Sequence, residues 1–345
     1  MEKKVAVLTG GGCAPGLDPF LEGFTKRATN AGFTVLGIEH GWEGLLSPGP
    51  KAYQLTLDNI EGVVRCGGTL IGTSRANPFQ DEESEKLAIE NLEKLGIEGL
   101  VVAGGDDTLS VAEKLLQRGI NVIGVPKTMD LDLSGTDYSM GFWAYNEAVF
   151  QMLPGFIETL RAHHRVGVLE LFGRHSGFTV VVAGIAGGAC YIAIPEIEID
   201  LDELFARVSE SYQRNQWALV VVGEAASIET EDQGKIDEYG NELLFQRRTG
   251  EFLARQIETA TGIESRHFQA THPFRGRPCA FDALIGFRLG VKAAETIQSG
   301  EWGKMLSVRG DELVVVPISA FKPRRKITPS SWWYETTILR NQGEA

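Results

Sequence analysis

Residues 99–132 read GLVVAGGDDTLSVAEKLLQRGINVIGVPKTMDLD, and this stretch decides the fold prediction. Two apolar runs typical of β-strands, at 100–103 and 122–125, flank an amphipathic helix predicted at 109–117. A strand, a helix and a second strand within about 30 residues form the unit from which parallel sheets are built. We therefore predict an α/β fold with a mostly parallel sheet.

Unusual chemistry follows each of these two strands. The first strand leads into GGDDT at 104–108, and the second leads into KTMDLD at 127–132. In open parallel sheets, ligands bind outside the carboxyl ends of the strands. Four carboxylates, one lysine and two glycines at these ends therefore indicate a magnesium–phosphate site.

Length and charge narrow the class of protein. A chain of 345 residues predicts about two domains. A net charge of −13 argues against a surface that binds nucleic acid, because such a surface needs clustered Lys and Arg. The charge remains compatible with binding of small anionic ligands. We expect no membrane contact and a cytoplasmic location, because no 18-residue apolar run exists and the chain enters a strand at once. The four cysteines lack CxxC spacing and are predicted to be free thiols.

A glycine loop, GGGCAPG at 10–16, separates a strand predicted at 5–9 from a helix predicted at 20–31 with Asp18 as its N-cap. Successive glycines let a ligand approach the backbone, and amides at a helix start attract anions. A tight turn without a ligand is the alternative. The loop is not a P-loop, because no Gly-Lys-Ser/Thr closes it. It only partly matches a dinucleotide-binding fingerprint, because Pro15 replaces the third glycine, so the sequence evidence for an NAD site is weak.

The rest of the chain continues the alternation of strands and helices. Further strands are predicted at 35–40, 165–171, 190–195, 218–223, 264–270 and 313–318. Further helices are predicted at 83–95, 142–163, 177–187, 201–214, 247–261 and 282–298. A polar surface loop is predicted at 228–241. The basic run at 322–325 leads to no functional prediction, while the adjacent Trp332 and Trp333 indicate that the tail docks on another element.

Seven motifs stand in an order that resembles the phosphofructokinase family over about residues 3–320. They are GGGCAPG at 10–16, GTSR at 72–75 before Asn77-Pro78, GGDDT at 104–108, PKTMDLD at 126–132, Gly173-Arg174, Gly223-Glu224 and His272 with Arg275. One such loop carries little weight, whereas several in family order are specific. The resemblance implies two Rossmann-like domains with mostly parallel sheets. We predict a phosphate-donor and magnesium domain at 1–141, completed by about 276–303, and a sugar-phosphate domain at 142–275, completed by about 304–345.

The resemblance also implies roles for individual residues. Asp106 matches the carboxylate that helps hold Mg²⁺, and Asp130 matches the general base that takes a proton from the sugar hydroxyl. Asp132 matches a second acid, which faces the same side as Asp130 if the chain is extended there. The catalytic set is Thr128, Asp130, Asp132 and Arg174. The donor-binding set is Gly11, Gly12, Arg75, Gly105, Asp107, Thr108 and Lys127.

The sugar-phosphate set implied by the resemblance is Arg165, Phe172, Gly173, Glu224, Arg266, His272 and Arg275. In the family, the residues at the positions of Arg165 and Arg266 come from the neighbouring subunit. A homodimer or homotetramer with shared active sites is therefore implied.

Two positions distinguish the phosphoryl donor. Family members that use ATP carry glycine at position 107 and usually at position 127, whereas this chain has Asp107 and Lys127, as do the members that use pyrophosphate. The carboxylate at 107 repels the inner phosphate of a nucleotide, and the lysine adds a point charge for a short donor. We predict reversible, magnesium-dependent transfer from pyrophosphate to the 1-hydroxyl of fructose 6-phosphate, in glycolysis and gluconeogenesis.

Departures from the family pattern widen the range of possible reactions. Cys13 stands where Asp is usual, Asp18 and Leu131 where Asn is usual, and Phe172 where Met is usual. The acceptor therefore includes other ketose phosphates, such as sedoheptulose 7-phosphate. The sequence also leaves open an ATP-dependent 6-phosphofructokinase and a non-catalytic sugar-phosphate-binding paralogue.

A structural interpretation of the acidic residues is also available. Asp106 and Asp107 suit the positive end of the following helix, where carboxylates are favourable without any ligand. Asp130 and Asp132 are typical of a solvated turn. Only the joint order of the motifs favours the functional interpretation.

Overall fold

The computed structural model of the protein describes residues 3–228 and 244–342. The chain forms two compact units, each built from separate stretches. Unit 1 comprises Met1–Met129, Leu133–Tyr145 and Arg275–Arg324, and unit 2 comprises Asp130–Asp132, Asn146–Phe274 and Arg325–Ala345. The surface loop predicted at 228–241 lies outside the described residues, apart from residue 228.

Twelve strands are present in the described part of the chain. They are β1 (Lys3–Thr9), β2 (Phe33–Ile38), β3 (Ala52–Leu55), β4 (Gly99–Gly104), β5 (Val122–Thr128), β6 (Met140–Gly141), β7 (Val166–Leu171), β8 (Tyr191–Ala193), β9 (Ala218–Gly223), β10 (Ser265–Ala270), β11 (Lys304–Arg309) and β12 (Glu312–Pro317).

The α-helices of the same residues alternate with these strands. They are α1 (Leu17–Asn30), α2 (Leu57–Ile60), α3 (Glu82–Leu95), α4 (Asp106–Gln117), α5 (Phe142–His163), α6 (Phe178–Ala186), α7 (Leu201–Asn215), α8 (Leu244–Arg247), α9 (Thr249–Thr261), α10 (Ala280–Gln298) and α11 (Trp332–Gln342). Of the helices described, none has the length and apolar character needed to span a bilayer.

Unit 1 is built on a sheet with the strand order β12-β11-β5-β4-β1-β2-β3, and β6 pairs with β5. All pairings are parallel except those of β12 with β11 and of β3 with β2. Alternate residues of β4 enter different cores: Val101 packs in the cluster of Phe20 from α1, whereas Leu100 and Val102 pack in the cluster of Ala112 from α4. Helices therefore cover both faces, as the continuous apolar runs require.

Unit 2 has a four-stranded, all-parallel sheet with the order β10-β7-β9-β8. Its edge strand β8 is closed by the tail, because buried Asn341 of α11 accepts a hydrogen bond from Ile192 N at 2.7 Å and donates one to Ile192 O at 2.9 Å. Trp333 meets the ring of Phe178 edge-on, with centroids 5.2 Å apart. The predicted docking of the tail is confirmed, and so is the α/β fold.

Residues 304–324, which the sequence grouped with 142–275, lie in unit 1 of the structure. β11 pairs in parallel with β5, where Met305 lies opposite Gly124, and β12 adds to β11 as an antiparallel edge. The sequence pattern at 304–309 did not predict β11. The sequence therefore did not show with which strand the predicted strand at 313–318 pairs.

Two predicted helix starts are wrong. Helix α1 begins at Leu17 with Gly16 as N-cap, because Asp18 lies within the first turn and its carboxylate accepts the amide of Leu70 at 2.6 Å. Helix α4 begins at Asp106, three residues earlier than predicted. All four cysteines are free thiols, as predicted.

Candidate active site

The glycine loop after β1 is joined to two other predicted motifs by backbone hydrogen bonds. Gly10 N donates to Ala103 O at the end of β4 at 2.9 Å, and Gly11 N donates to Ser74 O at 2.8 Å. The hydroxyl of Thr73 donates to Gly11 O at 2.8 Å. GGGCAPG, GTSR and GGDDT therefore meet at the carboxyl end of the unit 1 sheet. Arg75, which directly follows Ser74 in the chain, is exposed.

The glycines of this loop leave no room for side chains. A Cβ placed on Gly10 would lie 2.5 Å from Cγ2 of Thr108, and one on Gly104 would collide with the same side chain. Gly11 has φ +79°, a conformation that favours glycine. Predicted donor residue Thr108 is thus packed against the loop, at 5% exposure.

Lys127 places a positive charge against the glycine loop. Its Nζ donates to Gly12 O at 2.7 Å, and a Cβ on Gly11 would lie 3.3 Å from the same nitrogen. The lysine is 4% exposed. Lys127 and Thr128 lie inside β5 rather than after it, because they pair with the short strand β6. Three predicted donor residues, Gly11, Gly12 and Lys127, are brought together here.

The first turn of α4 carries the predicted acidic residues of the GGDDT motif. Gly105 is the N-cap, in an extended conformation, and Asp106, Asp107 and Thr108 are the first helical residues. Unpaired amides and the helix dipole make such a helix start favourable for phosphate. The carboxylates contact a residue that sequence reasoning left without a role: Nη2 of Arg324 lies 2.7 Å from Oδ2 of Asp106 and 3.7 Å from Oδ1 of Asp107.

Magnesium is the metal that the family resemblance implies. Within residues 3–228 and 244–342, no group of three or more His, Cys, Asp or Glu side chains is arranged to hold a metal ion. Mg²⁺ is often bound by one or two carboxylates together with substrate phosphates and water. The Asp106 carboxylate is 20% exposed at the phosphate-favouring end of α4, which fits a metal ion that this carboxylate binds and whose coordination water and donor phosphates complete.

Arg275 lies on the glycine loop. Its Nη1 donates to Cys13 O at 2.9 Å, and a Cβ on Gly12 would collide with the same guanidinium. The resemblance implied that Arg275 belongs with the residues of the sugar phosphate. The structure places it in unit 1, against the loop that carries the predicted donor residues.

In unit 2, the predicted base lies in a short segment held at both ends. Ser176 Oγ donates to Asp130 O at 2.6 Å, and Arg325 N donates to Asp132 O at 2.7 Å. Between them, Leu131 is 3% exposed and has φ +55°. The expectation of an extended chain is therefore wrong, because Leu131 takes the left-handed conformation that side chains other than Asn, Asp and Gly rarely adopt.

Glu224 lies beside this segment, directly after β9. It is 8% exposed, and its burial, followed by the negative charge of Asp130, raises its pKa to about 8. The positive charge of Arg174 and the amide of Gly173 act in the opposite direction. Asp130, Gly173, Arg174 and Glu224 are thus brought together, with Glu224 protonated at neutral pH and able to donate a hydrogen bond.

Two further predicted sugar-phosphate residues pack together. The rings of Phe172 and His272 meet edge-on, with centroids 5.5 Å apart. Phe172 is 6% exposed, and its carbonyl accepts the hydroxyl of Thr179 at 2.7 Å. The contact orients the imidazole of His272.

Arg165 and Arg266 share one carboxylate. Arg165 Nε lies 2.8 Å from Oε2 of Glu264, and Arg266 binds the other oxygen. The hydrogen bond from Arg165 is the largest of the causes that lower the pKa of Glu264. Within one protomer, Glu264 therefore holds both arginines side by side.

Sequence reasoning missed the residues that position the site from a distance. Besides Ser176, Arg324 and Arg325, these include Glu196, whose Oε1 accepts the amides of Gly177 at 3.1 Å and of Ile327 at 3.0 Å. Glu196 thus ties the tail to the loop that precedes α6. For Arg324 and Arg325, the sequence signal was a pair of arginines after a proline in an acidic chain.

Comparison with known proteins identifies the family. The sequence model of the phosphofructokinase family matches residues 4–297. The chain is 38% identical over 346 residues to a pyrophosphate–fructose 6-phosphate 1-phosphotransferase of Dictyoglomus thermophilum, covering 98% of this chain and 99% of that protein. It is 36% identical over 339 residues to an ATP-dependent 6-phosphofructokinase of Spirochaeta thermophila, covering 94% and 92%.

A solved structure supports the same family assignment. Phosphofructokinase from Saccharomyces cerevisiae superposes with a TM-score of 0.78 at 27% identity, covering 92% of this chain and 45% of the yeast chain, so this chain spans about half of that longer protein. Fold, motif order and full-length similarity coincide. The protein is therefore an enzyme of the phosphofructokinase family.

Proposed function

We propose that the protein transfers a phosphoryl group reversibly from pyrophosphate to the 1-hydroxyl of fructose 6-phosphate, with Mg²⁺. The observation that carries this proposal is the Lys127 ammonium held at 2.7 Å on Gly12 O, together with Asp107 in the first turn of α4. A full-length relative with the corresponding name supports it.

On the donor side, the residues of unit 1 bind and orient pyrophosphate. Phosphoryl transfer needs positioning and charge stabilisation more than covalent help from the protein. The start of α4, the glycine loop and Lys127 supply amides and a positive charge. Asp106 would hold Mg²⁺, which neutralises charge on the donor oxygens when bound.

On the acceptor side, Asp130 accepts the proton of the attacking hydroxyl. Only one residue separates it from Thr128, so the chain itself keeps the two Cα atoms within about 7 Å. Glu224, protonated at neutral pH, donates a hydrogen bond to a sugar hydroxyl, and Arg174 offers positive charge to the group in transfer. Asp132 lies near the same hydroxyl.

The phosphate of the sugar would be held by Arg165, Arg266, His272 and Arg275. As the resemblance implies for Arg165 and Arg266, we expect them to act in the neighbouring subunit of a homodimer or homotetramer. We place the enzyme in the cytoplasm, where free thiols stay reduced.

ATP is the second candidate donor, favoured by relatives named as ATP-dependent enzymes. Turnover is measured with pyrophosphate and with ATP at equal concentration, for the wild type and for Asp107→Gly. We expect the wild type to be faster with pyrophosphate and Asp107→Gly to gain activity with ATP. Faster wild-type turnover with ATP would reject the assignment of the donor.

The identity of the acceptor and the catalytic role of Asp130 are tested in separate experiments. A screen of phosphosugars that includes sedoheptulose 7-phosphate is expected to give the highest kcat/KM with fructose 6-phosphate. Asp130→Ala is expected to bind the sugar phosphate without turning it over. Undiminished turnover by Asp130→Ala would remove Asp130 as the base, and binding without turnover by the wild type would indicate a non-catalytic paralogue.

A further inference from the structure

The segment that carries Arg324 is fixed to unit 1 before it reaches that residue. Phe321 is fully buried in a cluster with Leu109, Leu133 and Met305. Its carbonyl accepts the amide of Ser134 at 3.2 Å. The backbone that leads to Arg324 is therefore anchored by apolar burial and not by the arginine itself.

Lys322 fixes the same segment to α4. Its Nζ lies 2.8 Å from Oε2 of Glu113, in the second half of the helix, and it also covers the ring of Phe321. Two residues further on, Arg324 reaches the first turn of the same helix. The ion pair of Lys322 is thus a neighbouring contact of the same kind that does not touch the donor residues.

Arg324 is aimed at the two carboxylates that distinguish this site. One nitrogen, Nη2, lies 2.7 Å from Asp106 and 3.7 Å from Asp107, and the side chain is 31% exposed. Two adjacent carboxylates repel a polyanionic donor, and a guanidinium between them offsets that charge. Arginine also matches phosphate oxygens through paired N–H donors.

We propose that Arg324 is a donor-binding residue that competes with Mg²⁺ for Asp106 and contacts a phosphate oxygen of the donor once the metal ion holds Asp106. The proposal rests on the proposed pyrophosphate reaction for its second half only. Competition for the carboxylate requires no donor and is tested without one.

The test compares Arg324→Gln with Lys322→Gln, which removes a matched charge from the same segment, and with Arg324→Lys. Binding of Mg²⁺ alone is measured by isothermal titration, and KM for magnesium pyrophosphate is measured separately from kcat. For Arg324→Gln we expect tighter Mg²⁺ binding and a KM for pyrophosphate raised by about tenfold or more, as loss of a charge-assisted hydrogen bond implies. Arg324→Lys should restore part of the KM, and Lys322→Gln should match the wild type.

Three results would overturn the proposal. They are unchanged Mg²⁺ binding by Arg324→Gln, an unchanged KM for pyrophosphate, or the same changes in Lys322→Gln, which would make the effect one of segment stability. If the wild type proves to use ATP, the proposed function fails on its own. Arg324 is then judged on the titration with Mg²⁺, where tighter binding supports the competition and unchanged binding refutes it.

Discussion

Ser176 donates a hydrogen bond of 2.6 Å from its Oγ to the backbone carbonyl of Asp130. The next residue, Leu131, stands in the left-handed region, and Arg325 N holds the carbonyl of Asp132 on its other side. Strained backbone of this kind persists where surrounding contacts over-determine it, and it often occurs at functional sites. The position of the proposed base therefore depends on contacts that come from two distant parts of the chain.

Removal of the Ser176 hydroxyl should impair turnover more than binding. Ser176 is fully buried, so Ser176→Ala leaves the Asp130 carbonyl without this donor and loosens the strained turn. We expect kcat to fall about fivefold, in line with a lost hydrogen bond of about 1 kcal/mol, with little change in KM for the donor. Steady-state kinetics with pyrophosphate measures this.

The matched control for Ser176→Ala is Thr296→Val, which removes another buried hydroxyl bonded to a carbonyl, that of Lys292 in α10 at 2.8 Å. Both variants should lose stability, but Thr296→Val should keep its kcat. Equal kcat values for Ser176→Ala and wild type would show that the hydrogen bond does not position the base.

Backbone strain at Leu131 can be measured with two polar substitutions. Leu131→Asn and Leu131→Gln both remove buried apolar surface, but only Asn tolerates φ near +55°. We expect the Asn variant to be more stable than the Gln variant by about 1 kcal/mol. Urea denaturation of the two variants gives the difference, and identical midpoints with equal slopes would exclude strain at this position.

The raised pKa of Glu224 predicts a pH-dependent stability. Between the ordinary pKa of 4.5 and the folded value of about 8, the folded protein holds a proton that the unfolded chain has released. Stability from this group is therefore lost as pH rises through that window. Glu224→Gln should flatten the decline of Tm between pH 5 and pH 9, whereas Glu158→Gln, at a side chain 67% exposed, should follow the wild type. Parallel Tm profiles for Glu224→Gln and wild type would contradict this.

Outside the proposed site, we expect a large loss of stability when Asp282 is replaced. It is 1% exposed, and its carboxylate accepts the amides of Gly141 at 2.7 Å and of Ala144 at 2.6 Å, at the start of α5. Asp282→Ala should lower the free energy of unfolding by about 3 kcal/mol, because two hydrogen bonds to a charged group are lost.

Thermal and urea denaturation test Asp282, with Asp81→Ala as the comparison. Asp81 is an exposed N-cap that accepts the amide of Ser84 at 2.7 Å, so its loss should cost much less. A loss for Asp282→Ala no larger than that for Asp81→Ala would show that burial does not strengthen the hydrogen bonds of Asp282.

Local patterns carried most of the fold prediction. The alternation at 99–132 predicted β4, α4 and β5 because apolar periodicity and glycine punctuation act over a few residues. The sequence also identified the motifs of the glycine loop, which the structure joins through Gly10, Gly11 and Ser74. Helix starts were less accurate, since Asp18 satisfies an amide 52 residues away rather than that of its own helix.

The sequence by itself determined a parallel α/β architecture, the family motifs and the acidic residues at two strand ends, because these depend on local periodicity and spacing. Only the tertiary structure decided that Arg324 reaches Asp106 across 218 residues, that Arg275 lies on the glycine loop, and that Leu131 is left-handed. The physical reason is that these features arise from contacts between distant segments. No propensity of the segments themselves specifies which of them will meet.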